Sequence, residues 1–303
     1  MGRKKHSIQK EIFSFLILFA FSSNLSSDIE DKIALHKEQF SEVALKIWEY
    51  AELGYQETKS SNLLASELKK EGFKITKGVA GIPTAFIAEF GSSGPVIGIL
   101  GEFDALPGLA QTNSPFKEVA VNDSGGGHAC GHHLFGAASA WAAVSIKEWL
   151  DENDFEGTVR FYGTPAEEGG SGKVYMVREG LFDDVDVVLH WHPDDVNSAN
   201  PKTSNSNKSA KFTFKGISAH AAGSPELGRS ALDGVEAMNM MVNMMREHTP
   251  QESRMHYVIT KGGLAPNVVP DLAEVYYYVR HPEMKLVEEL FERVVKTAEG
   301  AAR

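Results

Sequence analysis

Val96-Ile97-Gly98-Ile99-Leu100 is an unbroken apolar run, entered through Ser92-Ser93-Gly94-Pro95 and left through Gly101-Glu102-Phe103-Asp104. A run of this length between turn formers predicts a strand buried on both faces. Ala85-Phe86-Ile87-Ala88 repeats the pattern upstream. Before both, Ile33, Phe40, Val43, Ala44, Ile47 and Trp48 keep helical spacing between Asp28 and Leu53, and Gly54 is the expected stop. A second helix is expected from Glu57 to Glu71, ended by Gly72. Downstream, a helix over about Leu134–Leu150 precedes a strand at Thr158–Tyr162, and Val185–Leu189 reads as one more strand. Strands alternating with helices predict a layered α/β domain.

The composition changes at Asn200-Pro201-Lys202-Thr203-Ser204-Asn205-Ser206-Asn207, a polar linker. Beyond it Ala210, Phe212 and Phe214 alternate with Lys211, Thr213 and Lys215, the signature of a half-buried strand. Leu227, Ala231, Leu232, Val235, Met238, Val242 and Met245 step by helical intervals. Met255–Lys261 and Glu274–Arg280 are strand-like, and Leu286, Leu290, Phe291, Val294 and Val295 mark a last helix. The order β-α-β-β-α is that of a ferredoxin-like unit short of its final strand. Domains are therefore expected at 28–203 and 204–303. The methionines between Met238 and Met245 read as core or interface packing.

The chain of 303 residues is 42% hydrophobic and 23% charged, an ordinary globular composition. Its net charge of −11, with no Lys/Arg-rich block beyond the first ten residues, argues against a nucleic-acid partner. A single cysteine, Cys130, excludes an intrachain disulfide. Arg3-Lys4-Lys5, the apolar run Ile12–Phe21 and Ser22-Ser23 after it have the pattern of a signal peptide over residues 1–27. The expectation is a secreted or periplasmic protein, with a cytoplasmic one as the alternative. The apolar run is too short for stable membrane insertion.

Three segments carry chemistry. His128-Ala129-Cys130-Gly131-His132-His133 sets a thiol among imidazoles, the commonest zinc ligands, behind the glycines Gly125-Gly126-Gly127. Thr164-Pro165-Ala166-Glu167-Glu168-Gly169-Gly170 sets two carboxylates at a strand end. Neighbouring side chains on extended backbone point to opposite sides, so one glutamate could ligate a metal while the other faces a water as general base. His190-Trp191-His192 follows a strand and offers two further imidazoles. Each segment alone reads equally as a loop or a solvated turn. Together, at successive strand ends of one sheet, they predict a metal site.

With Gly101-Glu102-Phe103-Asp104-Ala105-Leu106-Pro107-Gly108, these motifs resemble the co-catalytic metallo-amidohydrolases of the aminoacylase–carboxypeptidase family. Met176–Asp186, Gly228–Asp233 and Ala265–Val269 are similar to its aroyl-glutamate hydrolases, and the resemblance runs from about Ile33 to the last residue. It implies an αβα catalytic domain of zinc-exopeptidase type with an inserted ferredoxin-like lid that dimerises or joins a heteromer. It also implies two divalent metal ions, zinc or manganese. Cys130, His132, Glu168 and His192 match the metal ligands, Glu167 the general base, and Asp104 a carboxylate that orients a ligand. His220, in Gly216-Ile217-Ser218-Ala219-His220, matches the residue that stabilises an oxyanion. Asn267 and Arg280 match substrate contacts. The implied reaction is hydrolysis of N-acyl or N-aroyl amino acids, with an aroyl-glutamate favoured.

The sequence departs from the family at His133, where an acidic or amide residue is usual, so an extra or altered ligand is expected there. The family's last ligand is a histidine further along than Arg303, which makes the chain an expected N-terminal part. Two alternatives follow: an inactive remnant that keeps partial metal binding, and a hydrolase that uses Cys130 as nucleophile.

Overall fold

The structure, a computed structural model, describes residues 30–122, 124–193, 195–199 and 203–303. The expected signal peptide at 1–27 and the first residues of the expected linker, 200–202, lie outside the described residues. The chain divides into two compact units, Met1–Val196 and Asn197–Arg303, whereas the composition had suggested a division at 203/204. Among the described residues no helix is long and apolar enough to cross a membrane.

After helical residues 30–35, the first unit continues with α1 (Lys37–Tyr50) and α2 (Thr58–Lys70), followed by β1 (Lys74–Lys77), β2 (Phe86–Phe90) and β3 (Val96–Gly101). The two-residue strands β4 (Leu106–Pro107) and β5 (Gly126–Gly127) pair with each other. Then come α3 (His132–Asn153), β6 (Thr158–Gly163), α4 (Gly172–Arg178) and β7 (Val187–Leu189). The main sheet runs β1-β2-β6-β3-β7, with β3 parallel to both β6 and β7 and the other two pairings antiparallel. Parallel pairing aligns the carboxyl ends of these strands, Gly101 opposite Gly163. The loops that follow them therefore emerge on one edge, where open α/β sheets place their sites.

Phe40, Val43, Ala44 and Ile47 of α1, Leu64 and Leu68 of α2, and Ala137, Ala140, Ala143 and Val144 of α3 form one core with Phe86, Ile99, Val159 and Phe161 of the sheet. Small residues on α3 let that helix lie close to the sheet. A Cβ on Gly136 would come within 2.8 Å of the Glu102 carbonyl oxygen, which fixes how near α3 runs to the end of β3. On the other face of the sheet Tyr162 packs against Phe182 and donates to the Leu181 carbonyl at 2.7 Å.

Two details differ from the sequence reading. The first helix stops at Ala51, whose left-handed backbone (φ 43) takes the role expected of Gly54. Leu227 lies in a single 3₁₀ turn before the helix it was read into and is 69% exposed. It falls outside because Ser230 caps the helix start, its side chain accepting from the Asp233 amide.

The second unit contains β8 (Ser206–Lys215), α5 (Ala231–Met245), β9 (Arg254–Lys261), β10 (Leu272–His281) and α6 (Met284–Ala301). This is the expected β-α-β-β-α order, folded as an antiparallel sheet β8-β10-β9. Alternate residues of β10, from Ala273 to Val279, meet Val235, Met238 and Val242 of α5 and Val287, Leu290 and Val294 of α6 in one core. Of the methionine run, Met238 and Met245 are buried, while Met240 and Met244 are exposed.

Candidate metal centre

Three loops at the carboxyl ends of β3, β6 and β7 converge with the start of α3. After β3, extended backbone sends Glu102 and Asp104 to the same side. Both reach His132, the first residue of α3. Its Nδ1 lies 3.0 Å from Asp104 Oδ1 and its Nε2 3.2 Å from Glu102 Oε2. His132 and both carboxylates are nearly inaccessible to solvent. Burial alone would lower the His132 pKa, but the hydrogen bond and charge of Asp104 outweigh it and raise it. With Nδ1–H given to Asp104, Nε2 is the atom left to act as a ligand, and a carboxylate in this position fixes the tautomer and direction of a ligating imidazole.

After β6 the backbone turns sharply. Ala166 is fully buried in the left-handed region (φ 55, ψ 45), a conformation that costs a non-glycine residue roughly 1 kcal/mol or more. Glu167 and Glu168 follow, and the Glu168 amide donates to Asp104 Oδ2 at 2.8 Å. Cys130, His132 and Glu168 each offer a ligand atom within 4.8 Å of the others, and so, as a second set, do Glu102, His132 and Glu167. After β7, His192 places Nε2 3.3 Å from Cys130 Sγ, and His190 places its Nε2 3.2 Å from Glu102 Oε1. Lys173 Nζ also donates to Glu102. Burial would raise the Glu102 pKa, but the His190 hydrogen bond and the Lys173 charge reverse this and hold it at about 2.

The donor set suits a divalent cation. Thiol, imidazole and carboxylate together are the ligand chemistry of zinc. His132 Nε2 is buried and, among the described residues, lacks an aligned hydrogen-bond partner. It faces Glu167 Oε2 at 3.9 Å and Glu168 Oε1 at 4.0 Å. Burial and then the charge of Glu168 and Glu167 push the Cys130 thiol up to about 11, while burial and the charge of Glu167 raise Glu168. A cation among these groups would relieve the repulsion that both shifts report.

The structure thus brings together Cys130, His132, Glu167, Glu168, His192 and Asp104. His133 turns elsewhere: its ring lies 5.1 Å from that of His128, and it belongs to none of the ligand sets found among the described residues. Sequence reading missed Glu102, which stands inside a quoted motif, and Lys173, which lies just beyond the glutamate motif that ends at Gly170. Glu102 was within reach, since it sits two residues before Asp104 and shares its side of the strand.

His220, Asn267 and Arg280 lie in the second unit. His220 pairs with Val268 through an isolated bridge, and the Ala221 amide donates to the Asn267 carbonyl at 3.0 Å. His220 Nδ1 accepts from the amides of Ala222 and Gly223 at 3.2 and 3.0 Å, so its proton sits on Nε2. Arg280, on β10, stacks over the Tyr278 ring at 5.2 Å, and its Nε is buried without a hydrogen-bond partner among the described residues.

The model of the peptidase family M20/M25/M40 matches residues 98–301. The chain is 48% identical over 275 residues to one of the subunits of the p-aminobenzoyl-glutamate hydrolase of Escherichia coli (strain K12), covering 90% of this chain and 57% of that protein. It is 31% identical over 278 residues to the Xaa-Arg dipeptidase of Mus musculus, covering 88% of this chain and 60% of that one. Among solved structures it resembles a dinuclear metal-binding peptidase of the M20 family from Bacillus subtilis. There the TM-score is 0.55 at 25% identity, over 89% of this chain and 70% of that one. The chain thus spans less than two thirds of the length of the two relatives in sequence.

Proposed function

The chain belongs to the peptidase family M20/M25/M40, and from that premise we propose that it carries the metal centre of an amidohydrolase acting on N-acyl or N-aroyl amino acids, with an aroyl-glutamate as the favoured substrate. The observation that carries this reading is the convergence of Cys130, His132 and Glu168 within 4.8 Å, with Glu167 beside them and His192 3.3 Å from the thiol. In it, Cys130, His132, Glu168 and His192 hold two divalent ions, zinc or manganese. When bound, these supply Lewis acidity that lowers the pKa of a water and polarises the amide carbonyl.

The chain's own residues do the rest. Glu167, its side chain 46% exposed, takes the proton of the attacking water and passes it to the leaving amine. Asp104 holds His132 in the ligating tautomer. His220, with its proton on Nε2, has the form needed to donate to a developing oxyanion. Asn267 and Arg280 contact the substrate, Arg280 through a carboxylate. The Escherichia coli relative is itself one component of a multi-subunit hydrolase, which favours assembly into a dimer or heteromer, and we place that contact on the second unit. Residues 1–27 act as an export leader, and N-terminal sequencing of protein recovered outside the cytoplasm would identify the cleavage point.

The cysteine-nucleophile alternative runs against the thiol's raised pKa, because a nucleophilic cysteine needs a lowered one. An assay of p-aminobenzoyl-glutamate and a panel of N-acyl amino acids, with and without a strong chelator, separates the readings. Hydrolysis abolished by chelator and restored by zinc or manganese is expected. Chelator-resistant hydrolysis that an alkylating agent stops would replace the metal mechanism with the thiol one.

A further inference from the structure

Glu57 has no place in the chemistry above, yet it is a fully buried carboxylate aimed at the turn that carries the site's two glutamates. Its Oε1 accepts from the Ala166 amide at 2.7 Å, and its Oε2 accepts from the Thr84 hydroxyl at 3.0 Å. The neighbouring residues lie along the same turn. A Cβ on Gly54 would stand 3.1 Å from the Cα and Cβ of Ala166, and the Tyr55 hydroxyl donates to the Gly170 carbonyl at 2.6 Å. Ala166 is the residue held in the left-handed region, immediately before Glu167 and Glu168. Unbraced, that backbone would relax toward commoner angles and swing both carboxylates away from His132.

We propose that Glu57 is a positioning residue, which clamps the strained Ala166 amide from the start of α2 and so sets the direction of Glu167 and Glu168. Asp104 holds the other side through the Glu168 amide. The backbone on both sides of Glu167 is thus tied to a buried carboxylate from a different segment. Burial pushes Glu57 up to about 7, with hydrogen bonds from the Ala166 amide and the Thr84 hydroxyl opposing the shift.

The inference rests on the metal-centre reading only for its consequence in zinc binding. The clamp itself is tested on the metal-free chain by hydrogen–deuterium exchange at pH 8, above the Glu57 value. In Glu57→Ala, peptides covering 164–172 should exchange about tenfold faster, the effect of losing one buried hydrogen bond, while the β8–β10 peptides stay unchanged. Glu57→Gln keeps an acceptor for the Ala166 amide and can donate to Thr84, so it should exchange like the parent. Thr84→Val, a milder change, should give a smaller increase in the same peptides and serves if Glu57→Ala does not fold. Competition against a chromophoric chelator then reads zinc affinity. Glu57→Ala should bind roughly 10- to 100-fold more weakly, the range for loss of a residue that orients ligands, and Glu57→Gln within about threefold of the parent. Unchanged exchange at 164–172 in both Glu57→Ala and Thr84→Val overturns the clamp, as does Glu57→Gln behaving like Glu57→Ala. A parent chain that binds no zinc while the exchange result holds would count against the metal centre and leave the clamp standing.

Discussion

Glu167 and Glu168 are neighbours in sequence and nearly equidistant from His132 Nε2, at 3.9 and 4.0 Å, so distance alone does not divide their work. Exposure and partners do. Glu168 is the more buried of the two and shares a ligand set with Cys130 and His132, and its amide is tied to Asp104. Glu167 is 46% exposed, open to a water and to a substrate amide. A ligand needs fixation and a base needs access. Glu167→Gln should therefore keep its zinc and lose at least about 10²-fold in kcat, since the amide cannot take a proton. Glu168→Gln should lose zinc first, measured by elemental analysis after gel filtration. Exchanged phenotypes would reverse the assignment. That Cys130, His132, Glu167, Glu168 and His192 would gather was legible in the sequence, because thiol, imidazole and paired carboxylates stand at successive strand ends. Glu57 was not, since its meaning rests on a contact with Ala166 far away along the chain and on a backbone angle that no residue pattern reveals.

Elements became legible where burial imposed a pattern and stayed hidden where it did not. The strands β2, β3 and β6 were readable as apolar runs because the helices α1, α2 and α3 cover them. By contrast β1, Lys74–Lys77, leaves three of its four residues exposed at the sheet edge and so carries no apolar signal. Helix packing holds a further unpatterned device at the start of α1. His36 donates through Nε2 to Glu148 of α3 at 2.7 Å and through Nδ1 to Gln39 at 3.1 Å, and the Gln39 amide nitrogen donates to Glu67 and Glu71. Because those carboxylates fix the direction of Gln39, both ring nitrogens of His36 face acceptors, which requires the charged imidazolium. His36, Glu71 and Glu148 lie close enough to hold a cation, but this hydrogen-bond chain already occupies them. Burial alone would lower the His36 pKa; the hydrogen bonds that His36 donates to Glu148 and Gln39 and the charge of Glu148 outweigh it and raise it above 6.5. A raised folded-state value contributes stability that is complete below 6.5 and disappears as pH rises through the folded pKa. The stability gap between the parent and His36→Asn in urea should therefore be widest on the acid side, on the order of 0.5–1 kcal/mol for one such pair, and close toward alkaline pH. A gap that does not change with pH would show that the ring acts by packing alone.

At the scale of the molecule, the two apolar cores share no residue among the described residues: one joins β2, β3 and β6, with Ile75 of β1, to α1, α2 and α3, the other joins β8, β9 and β10 to α5 and α6. All the metal-ligand candidates, Cys130, His132, Glu168 and His192, belong to the first unit, together with Glu102, Asp104 and Glu167. A ligand that binds the folded state stabilises what it touches, by about 2.7 kcal/mol at a free concentration 100 times its dissociation constant. In a chain with separate cores that gain belongs to the unit holding the site, and a single two-state transition is not the expected behaviour. Zinc added to the metal-free chain should therefore slow exchange in peptides covering 97–104, 128–137, 158–170 and 187–192. Peptides from β8, β9 and β10 should stay at their metal-free rates. In a thermal scan zinc should move one transition upward and leave the other in place, and Cys130→Ser should reduce that shift and leave the other transition where it is. Equal protection in both units would mean that metal binding is coupled to the β8–β10 sheet. Protection confined to the His36, Glu71 and Glu148 cluster would move the ion away from Cys130 altogether, and the centre built here on the carboxyl ends of β3, β6 and β7 would have to be abandoned.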